Sequence, residues 1–161
     1  MNHNQPPTSK AKKTKAPSST LSRRRARERA VSVLYEAKIK DISPVDIITE
    51  EGLAIVDPLT IYLVSGVHEA TGDIDAMISR LSLNWEFDRI PVINVCILEI
   101  AIFELLDARN TRAVVINEAV DLAKTFSESK SAKFINGVLS AIASEYLVPS
   151  QKPGPQDTQE Q

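Results

Sequence analysis

From Ser22 onward, apolar residues recur every third or fourth position rather than every second, the spacing of helices that turn one face to a core. Ala26, Ala30, Val33, Leu34 and Ala37 form one such stripe and predict a first helix from about Ser22 to Lys40. Ser43-Pro44 supplies an N-cap hydroxyl followed by proline at the first helical position, the start of a short second helix reaching about Glu51. Asp57-Pro58 repeats the signal and opens a helix through Tyr62, Val64, Val67 and His68 toward Leu81; Thr71-Gly72-Asp73 is a candidate break within it. The most apolar helix spans about Ile90 to Leu106, with Pro91 near its start. Thr111 caps a helix carrying Val115, Ala119, Leu122, Ala123 and Phe126, and a last helix from about Ser131 to Tyr146 aligns Ile135, Val138, Leu139 and Ile142. Gly137 lies inside that helix, where glycine costs about 1 kcal/mol relative to alanine, so a close approach by a neighbouring helix is expected there. No segment alternates with period two between hairpin turns. The fold class is therefore all-α, a compact bundle of six or seven helices joined by short links.

The two ends lack this pattern. Residues 1–20 are rich in Pro, Ser, Thr and Lys, and the end from Pro149 is equally polar, so neither buries enough apolar surface to repay the entropy of ordering. The expected organisation is a disordered basic tail over 1–20, one helical domain over 21–148 and a disordered tail over 149–161. Even the richest apolar stretch is interrupted by Asn94, Glu99 and Glu104, and no apolar segment follows the basic start as a signal peptide requires. The chain reads as soluble and cytoplasmic, without membrane contact. A single cysteine, Cys96, can form no internal disulfide, which fits a reducing compartment.

Charge changes the picture once the chain is divided. Of 19 Lys and Arg, nine fall in residues 1–29 against one acid, whereas the remainder carries ten against twenty. The net charge of −2 thus hides a local field suited to an anionic partner. Catalytic chemistry, by contrast, has no carrier: there is no glycine-rich phosphate loop, no nucleophile elbow and no His or Cys pair at metal-ligand spacing. Cys96 in Val95-Cys96-Ile97-Leu98 reads as a buried small hydrophobe, His68 as a structural histidine, and the carboxylates as solvated faces. The chain is expected to be no enzyme, with no cofactor and no metal.

Two segments stand out. In Ser22-Arg23-Arg24-Arg25-Ala26-Arg27-Glu28-Arg29, five arginines sit in two turns at the positive end of a helix dipole, where exposed cations cost roughly 0.3–1 kcal/mol each. An anion there turns the penalty into a gain, and arginine favours phosphate forks and base stacking over mere solubility. With the apolar stripe centred near Ala30 and Ala37, Arg24, Arg25 and Arg29 point outward while Arg23 and Arg27 flank the core. The second segment is Ser129-Lys130-Ser131-Ala132-Lys133-Phe134, where Lys130 and Lys133 flank an aromatic at a helix start, the pairing that single-stranded nucleic acid binding uses.

Three stretches together resemble the NusB family of transcription antitermination factors: Arg23 to Glu28 continuing through Ala30-Val31 and Leu34-Tyr35, then Ile116-Asn117-Glu118-Ala119-Val120-Asp121-Leu122-Ala123-Lys124, then Ser131 through Leu139. The resemblance covers residues 22–145. It implies a helical fold with two subdomains that binds boxA RNA of ribosomal RNA operons together with NusE, a small-subunit ribosomal protein, in a complex that keeps RNA polymerase processive. By resemblance, Arg23, Arg24, Arg25 and Arg27 match the arginine-rich RNA-contacting motif, and Lys133 and Phe134 match the second RNA region; Arg29 and Lys130, which adjoin the two motifs, join them as RNA-binding candidates from their own charge and position. Tyr35 matches a tyrosine on the NusE-facing side. Asn94 stands where a NusE-contacting acid is common, Glu99 where arginine is common, Phe103 for the usual tyrosine and Thr111 for a frequent proline, so Tyr35, Asn94 and Glu99 are the partner-binding candidates.

Two other readings remain open on the sequence: the NusB-like N-terminal domain of an rRNA cytosine methyltransferase, which needs a further cofactor-binding domain, and a protein-interaction module with no RNA affinity. Homodimerisation is undecided.

Overall fold

The computed structural model describes residues 19–81 and 89–147. Residues 1–18 and 148–161 lie outside the described residues, and the expectation of disorder for 149–161 and most of 1–20 falls there; Ser19 and Thr20, expected in the basic tail, form the start of α1. Six helices follow one another: α1 (Ser19–Lys40), α2 (Pro44–Glu51), α3 (Pro58–Leu81), α4 (Val92–Asp107), α5 (Arg112–Phe126) and α6 (Ser129–Tyr146); no strand occurs among the described residues.

The start signals act as their chemistry dictates. Ser43 Oγ accepts the Val45 N–H at 3.3 Å, Asp57 Oδ1 accepts the Leu59 N–H at 2.8 Å, and Thr111 Oγ1 accepts the Val114 N–H at 3.4 Å. Left-handed residues close two helices, Asp41 after α1 and Ala108 after α4, with φ of 54° and 56°. Gly52 ends α2 at φ 95°, a conformation side chains rarely adopt.

α3 runs unbroken through Thr71-Gly72-Asp73, so the candidate break does not form. The reason is the apolar stripe: Val67, Ile74 and Ile78 are all fully buried on the same face, and their burial outweighs one exposed glycine. Thr71 also returns its hydroxyl to the Val67 carbonyl at 2.9 Å, consistent with continuous helix.

α4 is the centre of the bundle and packs against α1, α3, α5 and α6. Its run Asn94 to Ile102 is buried all round, as a helix apolar on every side must be. α5 and α6 pack as a hairpin against it, and α1 and α3 pack on it and on each other. The close approach of helices occurs at Gly66 rather than at Gly137. A Cβ on Gly66 would collide with the Phe103 ring, whereas one on Gly137 would meet nothing within 4 Å. Phe103 in turn lies 5.2 Å from the Tyr62 ring centroid, at a tilt of 55°. No helix among the described residues is long and apolar enough to cross a membrane.

Candidate nucleic-acid interface

The arginine run lies in the second and third turns of α1, whose first turn carries no acid. Arg23 and Arg25 are exposed, while the Arg24 side chain, 37% exposed, lies 3.5 Å from Glu28 and 3.6 Å from Asp121 on α5. Arg29 pairs with Glu51 on α2 and keeps 42% of its side chain in solvent. Ion pairs this exposed contribute about 0–1 kcal/mol, so phosphates can displace them. Four guanidiniums therefore face solvent; because α1 begins at Ser19, one turn before the expected start near Ser22, they occupy its second and third turns rather than its positive end, and they would hold an anion by their own charge rather than through the helix dipole.

Arg27 departs from the expectation that it contacts RNA. It is 4% exposed, and its guanidinium grips Glu104 of α4 in a fork, with Nε 2.9 Å from Oε2 and Nη2 2.8 Å from Oε1. Glu118 of α5 approaches Nη1 at 3.5 Å, and Asn110 donates to Glu104 Oε1 at 3.3 Å. Burial pulls the Arg27 pKa down, but the hydrogen bond and charge of Glu104, aided by Glu118, more than offset it and the net shift is upward. The phase of the helix explains the placement. Arg27 sits one turn before Ala30 and Val31, both fully buried, and so points to the α1–α4–α5 junction.

The second patch lies in the first two turns of α6, just past the short turn after α5. Lys130 and Lys133 are exposed; Phe134 is half-buried and packs on the core. Phe134 and Lys130 line a cavity of about 290 Å³ together with Pro91, Ile90 and Arg89. Arg24–Asp121 and Arg27–Glu118 tie the arginine end of α1 to α5, the helix that leads into this turn.

Of the partner candidates, Tyr35 presents 41% of its surface on the outer face of α1, near exposed Ile39 and Ile42. Asn94 and Glu99 do not face outward: they are 2% and 1% exposed, because α4 is enclosed on all sides. Asn94 Nδ2 donates to Ser131 Oγ at 2.9 Å. Glu99 lies 2.7 Å from Lys38 Nζ. Burial pushes the Glu99 carboxyl up to about 7 against the pull of Lys38, and neighbouring Asp75 adds to the rise. The Cys96 thiol is pushed up to about 12, chiefly by burial, so it stays protonated and unreactive at neutral pH. Among the described residues no three His, Cys, Asp or Glu side chains cluster to hold a metal ion.

Two cations were missed by periodicity. Arg109 stacks 4.3 Å over the Tyr62 ring beside Arg23, in a cavity of about 400 Å³, and Arg89 borders the Phe134 cavity. Both precede or follow a helix, where spacing carries no signal.

The fold and the site define a class: a small all-helical protein with an arginine-dense helix end and a cationic aromatic cavity. The NusB family model matches residues 24–144. The chain is 41% identical over 128 residues to the transcription antitermination protein NusB of Bacillus velezensis, covering 78% of this chain and 98% of the relative. The Bacillus subtilis NusB is 40% identical over 128 residues, covering 78% and 97%. Among solved structures, T. maritima NusB superposes with a TM-score of 0.69 at 30% identity, covering 76% of this chain and 91% of that one. A crystal structure of antitermination factors NusB and NusE in complex with dsRNA gives 0.65 at 28% identity, covering 77% and 97%. The chain belongs to the NusB family.

Proposed function

We propose that this protein is a transcription antitermination factor that binds boxA RNA of ribosomal RNA operons together with NusE and keeps RNA polymerase processive. The observation that carries the reading is the set of four solvent-facing arginines, Arg23, Arg24, Arg25 and Arg29, in the second and third turns of α1. Like charges this dense repel one another in isolation and are favourable against phosphate, whose oxygens a guanidinium fork matches. Family membership and the likeness to a NusB of known assembly with NusE and RNA support it.

In this reading the arginines hold the RNA backbone, Lys130 and Lys133 extend the cationic track, and Phe134 offers a base a stacking face. Arg27 acts indirectly, by fixing α1 on α4 and α5. The face of α1 around Tyr35, with Ile39 at 60% exposure, receives NusE. The protein works in the cytoplasm by binding and without catalysis.

The experiment is fluorescence anisotropy with a boxA-like RNA and a scrambled RNA of equal length, with and without NusE, at fixed near-physiological salt. Preference for boxA that NusE strengthens is the expected result. Equal binding to both RNAs reduces α1 to a non-specific cationic helix, and no binding to either leaves only a protein-interaction role.

A further inference from the structure

The arginine run of α1 borders two cavities whose charges differ. On one side Arg25 and Arg29 line a cavity of about 360 Å³ with Glu51 and Asp57, so that lining is neutral. On the other side a cavity of about 400 Å³ lies where α1 and α3 begin and α4 ends. Three arginines, Arg23, Arg27 and Arg109, line it against two carboxylates, Glu104 and Asp107. Arg27 is committed to Glu104 by its two-bonded fork, and Arg109 Nε lies 2.9 Å from Asp107. Arg23 is exposed and forms no ion pair among the described residues. The lining therefore keeps one uncompensated positive charge, the complement of a single phosphodiester.

Arg109 is also held ready. Its guanidinium lies 4.3 Å from the centroid of the Tyr62 ring, while 69% of its side chain remains in solvent. Tyr62 leans on Phe103 with centroids 5.2 Å apart, and Phe103 sits over Gly66, where a Cβ would collide with its ring. This aromatic column rises from the core and ends beneath a cation, so Arg109 loses less side-chain freedom on taking up an anion than an unsupported arginine does. The Asp107 pair is no obstacle: a guanidinium carries five donors, and Nε can stay with the carboxylate while the others reach a phosphate oxygen. We propose that Arg109, stacked on Tyr62, joins Arg23 in clamping one phosphodiester of the RNA, so that the strand crosses from α1 to the turn between α4 and α5. The inference rests on the RNA-binding reading above and adds a contact residue that belongs to neither the arginine run nor the Lys130 to Phe134 segment.

The test is anisotropy with the boxA-like RNA at fixed salt, one linkage at a time replaced by an uncharged methylphosphonate on a 2′-O-methyl nucleotide. Wild type, Arg109→Ala and Arg80→Ala are compared. Arg80 is a control of equal charge change: it is exposed and stands about 27 Å along α3 from Tyr62, several screening lengths away. One linkage is expected to weaken wild-type binding several-fold when neutralised, and in Arg109→Ala the sensitivity should fall at that linkage and nowhere else. Arg109→Ala should also lower the slope of log affinity against log salt by about 0.7, whereas Arg80→Ala should leave both slope and profile as in wild type. An unchanged linkage profile in Arg109→Ala, in a protein that still binds the RNA, overturns the inference alone. An equal loss in Arg80→Ala overturns it too, because the effect would then be one of total charge. Failure of the wild-type protein to bind any RNA overturns the functional reading and the inference with it.

Discussion

Three turns apart on α1, Arg27 and Lys38 both reach inward to a glutamate on α4, yet the two pairs are in different states. Arg27 meets Glu104 with two hydrogen bonds of 2.8 and 2.9 Å, and both Asn110 and Glu118 complete the shell. Lys38 Nζ lies 2.7 Å from Glu99 Oε1 as an ion pair, and both Glu99 carboxylate oxygens and Asp75 Oδ1 are buried without hydrogen-bond partners. A planar fork directs hydrogen bonds to both oxygens of a carboxylate at once, whereas a single ammonium contact leaves the carboxylate largely to the low dielectric. The first pair can therefore be a fixed strut under the RNA-facing helix end. The second is a strained polar cluster whose carboxyl is poised near neutrality.

The largest effect should follow from breaking the strut. Arg27→Ala leaves Glu104 buried and unpaired, which costs about 3–5 kcal/mol, read as a drop in the urea midpoint at unchanged m-value. A smaller effect separates the second pair by pH. Because the Glu99 carboxyl sits at about 7 in the folded chain, above the ordinary 4.5, the folded state holds its proton more tightly than the unfolded one. Its contribution is full below about pH 4.5 and is lost as pH rises through about 7, a fall of roughly 3 kcal/mol. Glu99→Gln should remove that component, so the difference in stability between wild type and variant should change across this window and be flat above it. A constant difference from pH 4 to 8 would mean that Glu99 is charged throughout and that the two pairs are alike. The smallest effect belongs outside: Arg24→Ala should change stability by about 0–1 kcal/mol, as half-exposed pairs do, measured by the same titration.

Helices and their caps were legible because each start signal lies within three residues of the groups it satisfies; Ser43, Asp57 and Thr111 all cap as read. Tertiary facts were not. Arg27 and Arg24 are three residues apart in the same cationic run, and nothing in their own chemistry says that one is buried; that depends on Glu104, 77 residues away. The same applies to Asn94 and Glu99, read as partner-facing by resemblance but enclosed because every side of α4 is covered. Gly137 was expected to mark a close approach, and Gly66, which carries the Phe103 contact, gave no local sign. The candidate break at Gly72 failed for the complementary reason, since a stripe continuous from Val67 to Ile78 holds the helix whatever glycine prefers.

The central claim is that RNA is held by the outer arginines of α1 while the inner one holds the helix. The measurement that bears on it most directly is the salt dependence of affinity for the boxA-like RNA, wild type beside Arg24→Ala/Arg25→Ala. Four exposed arginines contribute a slope of about −0.7 × 4 in log affinity against log salt, a weakening of roughly 50-fold from about 50 to 200 mM. The double variant should lose half of that slope, about 1.4, with its urea midpoint nearly unchanged. An unchanged slope would contradict the claim, because it would place the RNA phosphates somewhere other than the arginine end of α1.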